Sequence, residues 1–267
     1  MKCYDFEFDG IRLSDKGFMI CKFNGGGIDT VSNGSTITFN TVSSYGGMKH
    51  ELTHSAYKEA LTATFQICKH PCYNYGEEIT VEEMRDIMTW LNRKGFYKLK
   101  LIDDEYVGIF FEASFNVSKI EADGKLIGFE LKMETNRPFA QQEPVVVMLK
   151  DLDGGDSGII ISESDEEGYI YPNMEITINS SGDFELYNEF EDRTMRIFNC
   201  EAGEIITVDY PTITSSLGEN RRSKIQNDFN WIFFRIATKF KDRNNNFTVS
   251  IPCSIEIKYT PIVKVGI

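Results

Sequence analysis

At 267 residues, with 41% hydrophobic and 26% charged side chains, the chain can bury one large β domain or two ordinary ones, which excludes a disordered tail. The 41 acidic against 28 basic residues give a formal charge of −13, which excludes a nucleic-acid wrapper, because phosphate binding rests on Lys and Arg. No apolar run approaches the ~18 residues of a membrane span, and six scattered cysteines with no apolar leader read as reduced thiols of a cytoplasmically made protein.

Tyr4, Phe6 and Phe8 alternate with acidic residues, and Asp9-Gly10 then turns the chain into an opening hairpin. Gly25-Gly26-Gly27 and Asn33-Gly34 bracket a short strand around Val31, and Thr36-Ile37-Thr38-Phe39 continues the pattern. Ser43-Ser44-Tyr45-Gly46-Gly47 forms a tip, suited to a solvent loop or to an arm reaching a neighbour. Leu61–Ile67 is another alternating strand. The one confident helix spans residues 80–94. Thr80 is its N-cap, Glu83 completes a capping box, and Gly95 is the stop. Its apolar face is Val81, Met84, Ile87, Met88 and Leu91, which should cover a sheet face or an open barrel mouth. Phe96–Leu101, Val107–Phe111 and Phe115–Ile120 read as three strands. The turn Ala122–Lys125 then leads to Phe129, Leu131 and Met133, which alternate with charged residues.

Pro138 and Pro144 interrupt this pattern and place a domain boundary near residue 140, giving units 1–140 and 141–267. After the strand Val145–Leu149 and two acidic stretches, the second unit reads as an antiparallel sandwich. Ile176 and Ile178 face Phe184 and Leu186 across a Ser181-Gly182-Asp183 hairpin. Met195–Phe198 and Ile205–Asp209 form a second pair across Glu201–Glu204. The fold class is mainly β.

Few constellations suggest chemistry. His50-Glu51-Leu52-Thr53-His54 matches the zinc-protease pattern, but that pattern needs both histidines on one helical face. The surroundings here are β, and four residues of strand hold the two His about 13 Å apart. Cys68-Lys69-His70-Pro71-Cys72 offers soft ligands but no second half of a zinc site, and reads as a strand end running into a loop. Asp151, Asp153 and Asp156 hint at calcium, yet Ser162 stands where an EF-hand requires Glu, so an acidic solvated loop is the plainer reading. Tyr169, Tyr171 and Tyr187 could stack on a glycan or pack at a sheet edge. No residue is assigned a catalytic, cofactor-binding or metal-binding role, and no enzyme or cofactor is expected.

The order of the pieces resembles a known family, the distal tail proteins of siphophages and prophages. The first half carries Phe6-x-Phe8-x-Gly10, Leu61-Thr62-x-Thr64-Phe65-Gln66-Ile67, a single helix with Trp90-Leu91, and Asn136-Arg137-Pro138-Phe139. The second half carries Tyr171-Pro172, Gly203-Glu204-x-Ile206-x-Val208-Asp209, Asn230-Trp231, and Ile257-x-Tyr259-x-Pro261 near Gly266. It departs from the family at Asp242-Arg243-Asn244-Asn245-Asn246, where a Gly-x-Asn turn is common. The resemblance implies an N-terminal split β-barrel with one helix and a C-terminal galectin-like β-sandwich. It further implies a homo-hexameric ring at the virion tail tip, assembled in the bacterial host cytoplasm and joining the tail tube to the baseplate. The expected partners are the tail tube protein, the tail hub or tail-associated lysin, and a receptor-binding protein. DNA would pass the lumen without specific binding, and no membrane partner is expected. A carbohydrate-binding module recognising a cell-surface glycan is the alternative reading, and a zinc hydrolase using His50, Glu51 and His54 stands third.

Overall fold

The structure, a computed structural model, describes residues 4–23, 36–43, 49–71 and 78–265. The expected strand around Val31, its flanking glycines and the tip residues 44–47 lie outside them. The fold is mainly β and divides into two compact units, 1–142 with 263–267 and 143–262.

The first unit contains β1 (Phe6–Phe8), β2 (Ile11–Arg12), β3 (Phe18–Cys21), β4 (Ile37–Ser43), β5 (His50–Tyr57) and β6 (Thr62–Lys69). These are followed by α1 (Val81–Leu91), β7 (Tyr97–Leu101), β8 (Ile109–Ala122), β9 (Lys125–Thr135) and β10 (Ala140–Gln142). Its main sheet runs β2-β1-β7-β8-β9-β6-β3, with β10 also against β8. The path starts at β2 and ends at β3 without closing, as a split barrel requires. Two Asp-Gly turns set its register. Asp9 and Gly10 have φ of 53° and 78°, and Asp123 and Gly124 have 50° and 77°. Positive φ at both central residues gives the twist that antiparallel neighbours need, and Asp-Gly is the pair that tolerates it.

The sheet buries one face beneath α1. Thr80 and Glu83 form the expected capping box, with the Glu83 N–H donating to Thr80 Oγ1 and the Thr80 N–H donating to Glu83 Oε2. Burial by itself would raise the Glu83 carboxyl, but the Thr80 N–H and Lys69 outweigh it, and the pKa lies below its ordinary value. We expect Thr80→Ala to cost about 1 kcal/mol, read as a lowered denaturation midpoint with unchanged slope.

Three expectations for this unit need correction. The helix ends at Leu91 with Asn92 as C-cap, short of residue 94. Val81 is exposed, and Trp90 takes its place on the buried face. There the Trp90 indole stacks on Phe6 at 5.9 Å and donates Nε1–H to the Phe8 carbonyl at 3.1 Å. An indole can bury its large ring because one backbone acceptor satisfies its only polar atom. Finally, the two strands expected over 107–120 are one continuous β8. It runs through because β7 and β10 pair with its first half while β9 accompanies its second.

The second unit contains β11 (Val145–Leu152), β12 (Ser157–Ile161), β13 (Gly168–Ile170), β14 (Asn173–Ile178), β15 (Gly182–Asn188), β16 (Arg193–Cys200), β17 (Ile205–Asp209) and β18 (Thr212–Ser215). After the short α2 (Glu219–Arg222) come β19 (Ile236–Thr238), β20 (Asn244–Val249) and β21 (Cys253–Tyr259). One sheet has the order β11-β21-β14-β17-β18 and the other β12-β20-β15-β16, and both bury alternate side chains in one cluster. That is the sandwich the alternation predicts.

The pairing inside it differs from the expectation. β14 and β15 sit in different sheets, as do β16 and β17, so neither Ser181–Asp183 nor Glu201–Glu204 closes a hairpin. Both are arches that carry the chain from one sheet to the other. Their backbone groups are satisfied by each other. The Gly203 N–H donates to the Ile178 carbonyl at 2.7 Å, the Ile178 N–H to the Glu204 carbonyl at 2.9 Å, and the Ala202 N–H to Ser181 Oγ at 2.9 Å. An alternating strand has the same pattern whether its neighbour lies beside it or across the core. The chain's last residues also depart from a second unit running to residue 267. A final strand, β22 (Ile262–Val263), pairs with β10, and Val263 and Val265 pack on the first core, where their apolar side chains find cover.

Candidate assembly surface

β4 and β5 form a two-stranded ribbon separate from the main sheet. Every residue in it is exposed except the partly covered Tyr57. At its base the Lys58 N–H donates to the Thr36 carbonyl, and Tyr57 meets Phe139 edge-on at 5.9 Å. A lone two-stranded ribbon is marginally stable in water, so apolar side chains along it mark a surface that gains by being covered.

The register shows which residues share a face. Ile37 pairs with Tyr57, Phe39 with Ser55 and Asn40 with His54, but Thr41 pairs with Leu52, leaving Thr53 as an extra residue. Thr53 marks this bulge by donating its hydroxyl to the Asn40 carbonyl at 2.8 Å. Cross-strand partners share a face. The bulge therefore moves Leu52 onto the face of Ile37 and Phe39, where simple alternation from His54 would have placed it opposite. Phe39 is 63% exposed and Leu52 57%. The other face carries Thr38, Asn40, Val42, Glu51, His54 and Ala56. Sequence reasoning found the alternation of Ile37 and Phe39 but missed Leu52, because one inserted residue inverts the pattern and leaves no compositional trace.

The same bulge separates the two histidines of the zinc pattern. His50 pairs with Ser43 and His54 with Asn40, three residues apart on β4, so the two imidazoles lie on opposite faces of the ribbon. Among the described residues no group of three or more His, Cys, Asp or Glu could hold a metal ion. We expect elemental analysis of protein purified without chelator to give well under one zinc per chain. One zinc lost on His54→Ala would contradict the geometry.

Of the other candidates, Cys68 lies near the end of β6 and His70 just beyond it, while Cys72 is outside the described residues. In the acidic loop the Asp156 carboxylate closes the turn. The Asp153 N–H donates to Asp156 Oδ2 at 2.8 Å, the Asp156 N–H to the Asp153 carbonyl at 3.0 Å, and the Asp151 N–H to Ser254 Oγ. Tyr169 and Tyr171 come together edge-on at 5.5 Å, Tyr171 stacks on Tyr210 at 4.0 Å, and the Arg235 guanidinium covers Tyr169 at 4.0 Å. Tyr187 is not part of this cluster, and its hydroxyl donates to Asp192, which holds its pKa above the ordinary phenol. Tyr169 borders a cleft of about 630 Å³ lined also by Glu167, Glu189, Glu191 and Lys239.

A buried charge network escaped the sequence reading. Glu204 has no exposed side-chain surface, and its Oε1 accepts from Ser215 Oγ at 2.6 Å and from Arg221 Nε at 3.0 Å. Arg221 also pairs with Asp228 and donates Nη2–H to the Phe198 carbonyl. This network has the character of a brace: each of the three Arg221 nitrogens donates within it, and it ties the segment after β18 to the arch.

No curated protein sequence matches the chain. Among solved structures it superposes on SPP1 Dit (gp 19.1), described as a paradigm of hub adsorption apparatus in phages that infect Gram-positive hosts. The TM-score is 0.67 at 11% identity, over 97% of this chain and 99% of that one, so the likeness is one of fold. Residues 1–137 match the family described as phage tail protein N-terminal domain, and residues 139–259 the phage tail C-terminal domain. The chain therefore belongs to the phage tail protein family.

Proposed function

We propose that this protein is the ring component of a tail tip, in which six copies close head to tail through their first units and join the tail tube to the baseplate. The observation that carries the reading is the β4–β5 ribbon, which projects Ile37, Phe39 and Leu52 into solvent on one face. Such a surface gains most from a neighbouring copy, and a heterologous contact closes into a ring when its rotation permits. The count of six follows from the distal-tail resemblance. The tube protein, a hub or tail-associated lysin and a receptor-binding protein are the partners in this scheme. The role is structural, with no reaction assigned. Part of the −13 formal charge would line the lumen, where phosphate repulsion lets DNA pass without specific binding. Mass photometry and negative-stain images, with tube and hub partners added, test the assembly. A chain that stays monomeric at high concentration with both partners present would refute it.

A second reading attaches to the second unit. Tyr169, Tyr210 and Trp231 are all more than half exposed, and Tyr169 borders the carboxylate-lined cleft. Aromatic faces beside carboxylates suit a saccharide, with the rings stacking on it and the carboxylates accepting its hydroxyls. A galectin-like sandwich would carry such a site, though fold by itself does not assign it. A glycan array probed with wild type and with Tyr169→Ala separates this reading from a purely structural role.

A further inference from the structure

The chain leaves the main sheet of the first unit after β3, builds the ribbon, and re-enters the sheet in β6. Beside this exit and re-entry stand two thiols. β3 and β6 are antiparallel neighbours with Met19 opposite Cys68 and Cys21 opposite Gln66. Met19, Cys21, Gln66 and Cys68 therefore share one sheet face, and the two cysteines are diagonal neighbours on it. β3 is also the end of the sheet path, where β6 is its strand partner among the described residues and the Ile20 N–H donates to the Tyr4 carbonyl at 2.9 Å. Cys21 is its last residue, so it marks where the excursion carrying the ribbon begins.

We propose that Cys21 and Cys68 are a reversible redox clasp, reduced in the cell and joined as a disulfide by exchange with a low-molecular-weight disulfide once the protein leaves it. Geometry and chemistry support the same pair. The register sets both thiols on one face of the β3–β6 pair, and each perturbs the other: Cys68 pushes the ionisation of Cys21 up, while Cys21 lowers Cys68 to about 7. Both side chains are only partly covered. By contrast, Cys200 and Cys253 are buried, and burial raises each thiol to about 11, so neither competes. A thiolate with a pKa near ambient pH is the efficient attacker in exchange.

The reaction proceeds in two displacements. The Cys68 thiolate attacks one sulfur of oxidised glutathione, forming a mixed disulfide and releasing one glutathione thiolate. Cys21 then gives its proton to solvent and attacks Cys68 Sγ, forming the internal S–S bond and expelling the second glutathione thiolate. Two protein thiols are oxidised and one small disulfide is reduced to two thiols, so electrons balance. The bond closes a loop of roughly 45 residues that contains the whole ribbon, and it pins β3, at the end of the sheet path, to its strand partner β6.

The test uses the full-length protein, incubated with oxidised glutathione at pH 7.5 and mapped by non-reducing peptide mass spectrometry. The expected product is a Cys21–Cys68 cross-linked peptide with a loss of two hydrogens. Its formation should raise the first unit's melting temperature by about 5–10 °C, reversed by a thiol reductant. Cys21→Ser should accumulate a glutathione adduct on Cys68, and Cys68→Ser should leave Cys21 unmodified. Wild type that stops at a stable glutathione adduct, that links Cys68 to Cys72 instead, or that fails to react under these conditions overturns the proposal.

Discussion

Replacing Phe39 and Leu52 together by aspartate is expected to abolish ring formation while leaving a folded chain. Both side chains are exposed on one face of the β4–β5 ribbon and belong to no buried cluster, so charging them removes no core contact. Their value would appear only on assembly. Central apolar anchors cost about 2 kcal/mol or more each when lost from an interface, so two would weaken association on the order of a thousand-fold. Mass photometry should show monomer where wild type with its partners shows rings, and circular dichroism and the melting temperature should be unchanged. Val42→Asp, on the opposite face, is the control and should assemble far better than the double variant. Equal loss from both faces would mean that the apolar stripe does not direct the contact.

The second large effect lies in the brace around Glu204. Arg221→Ala removes the cation beside a carboxylate with no exposed surface, leaving it the Ser215 hydroxyl and the Glu201 N–H as partners. Breaking a buried pair from one side costs about 3–5 kcal/mol, because the remaining charge is stranded. For the second unit that corresponds to a fall in melting temperature of roughly 10–20 °C, while the first unit's transition stays in place. Adding Glu204→Gln to the same chain should recover much of the loss, since the amide still accepts from Ser215 but carries no charge. Calorimetry of wild type and the two variants decides it. A single-variant cost below about 1 kcal/mol, or no recovery in the double variant, would show that the network is not the brace described.

These two residue sets stood differently in the sequence. Ile37 and Phe39 were legible as strand positions, as were the Asp9-Gly10 and Asp123-Gly124 turns and the Thr80–Glu83 capping box, because each rests on chemistry within four residues. Leu52 was not, because its face depends on where β5 bulges against β4. Glu204 read as a turn residue. Its burial depends on Ser215 and Arg221 arriving from later in the chain.

By itself the sequence determined the β character, the capped helix and the ordered motifs that resemble the distal tail family. All of these follow from local patterning or from short fragments in series. Tertiary structure decided the partners. Ile178 and Phe184 alternate alike in a hairpin or an arch, and the cross-bonds between Ile178 and Gly203 made it an arch. Trp90 replaced Val81 on the helix's buried face because Phe6 and the Phe8 carbonyl lay within its reach. The residues that close the chain turned back to the first core, where Val263 and Val265 could be covered. Periodicity specifies which face of an element is apolar, whereas the surface that covers that face is brought by distant parts of the chain.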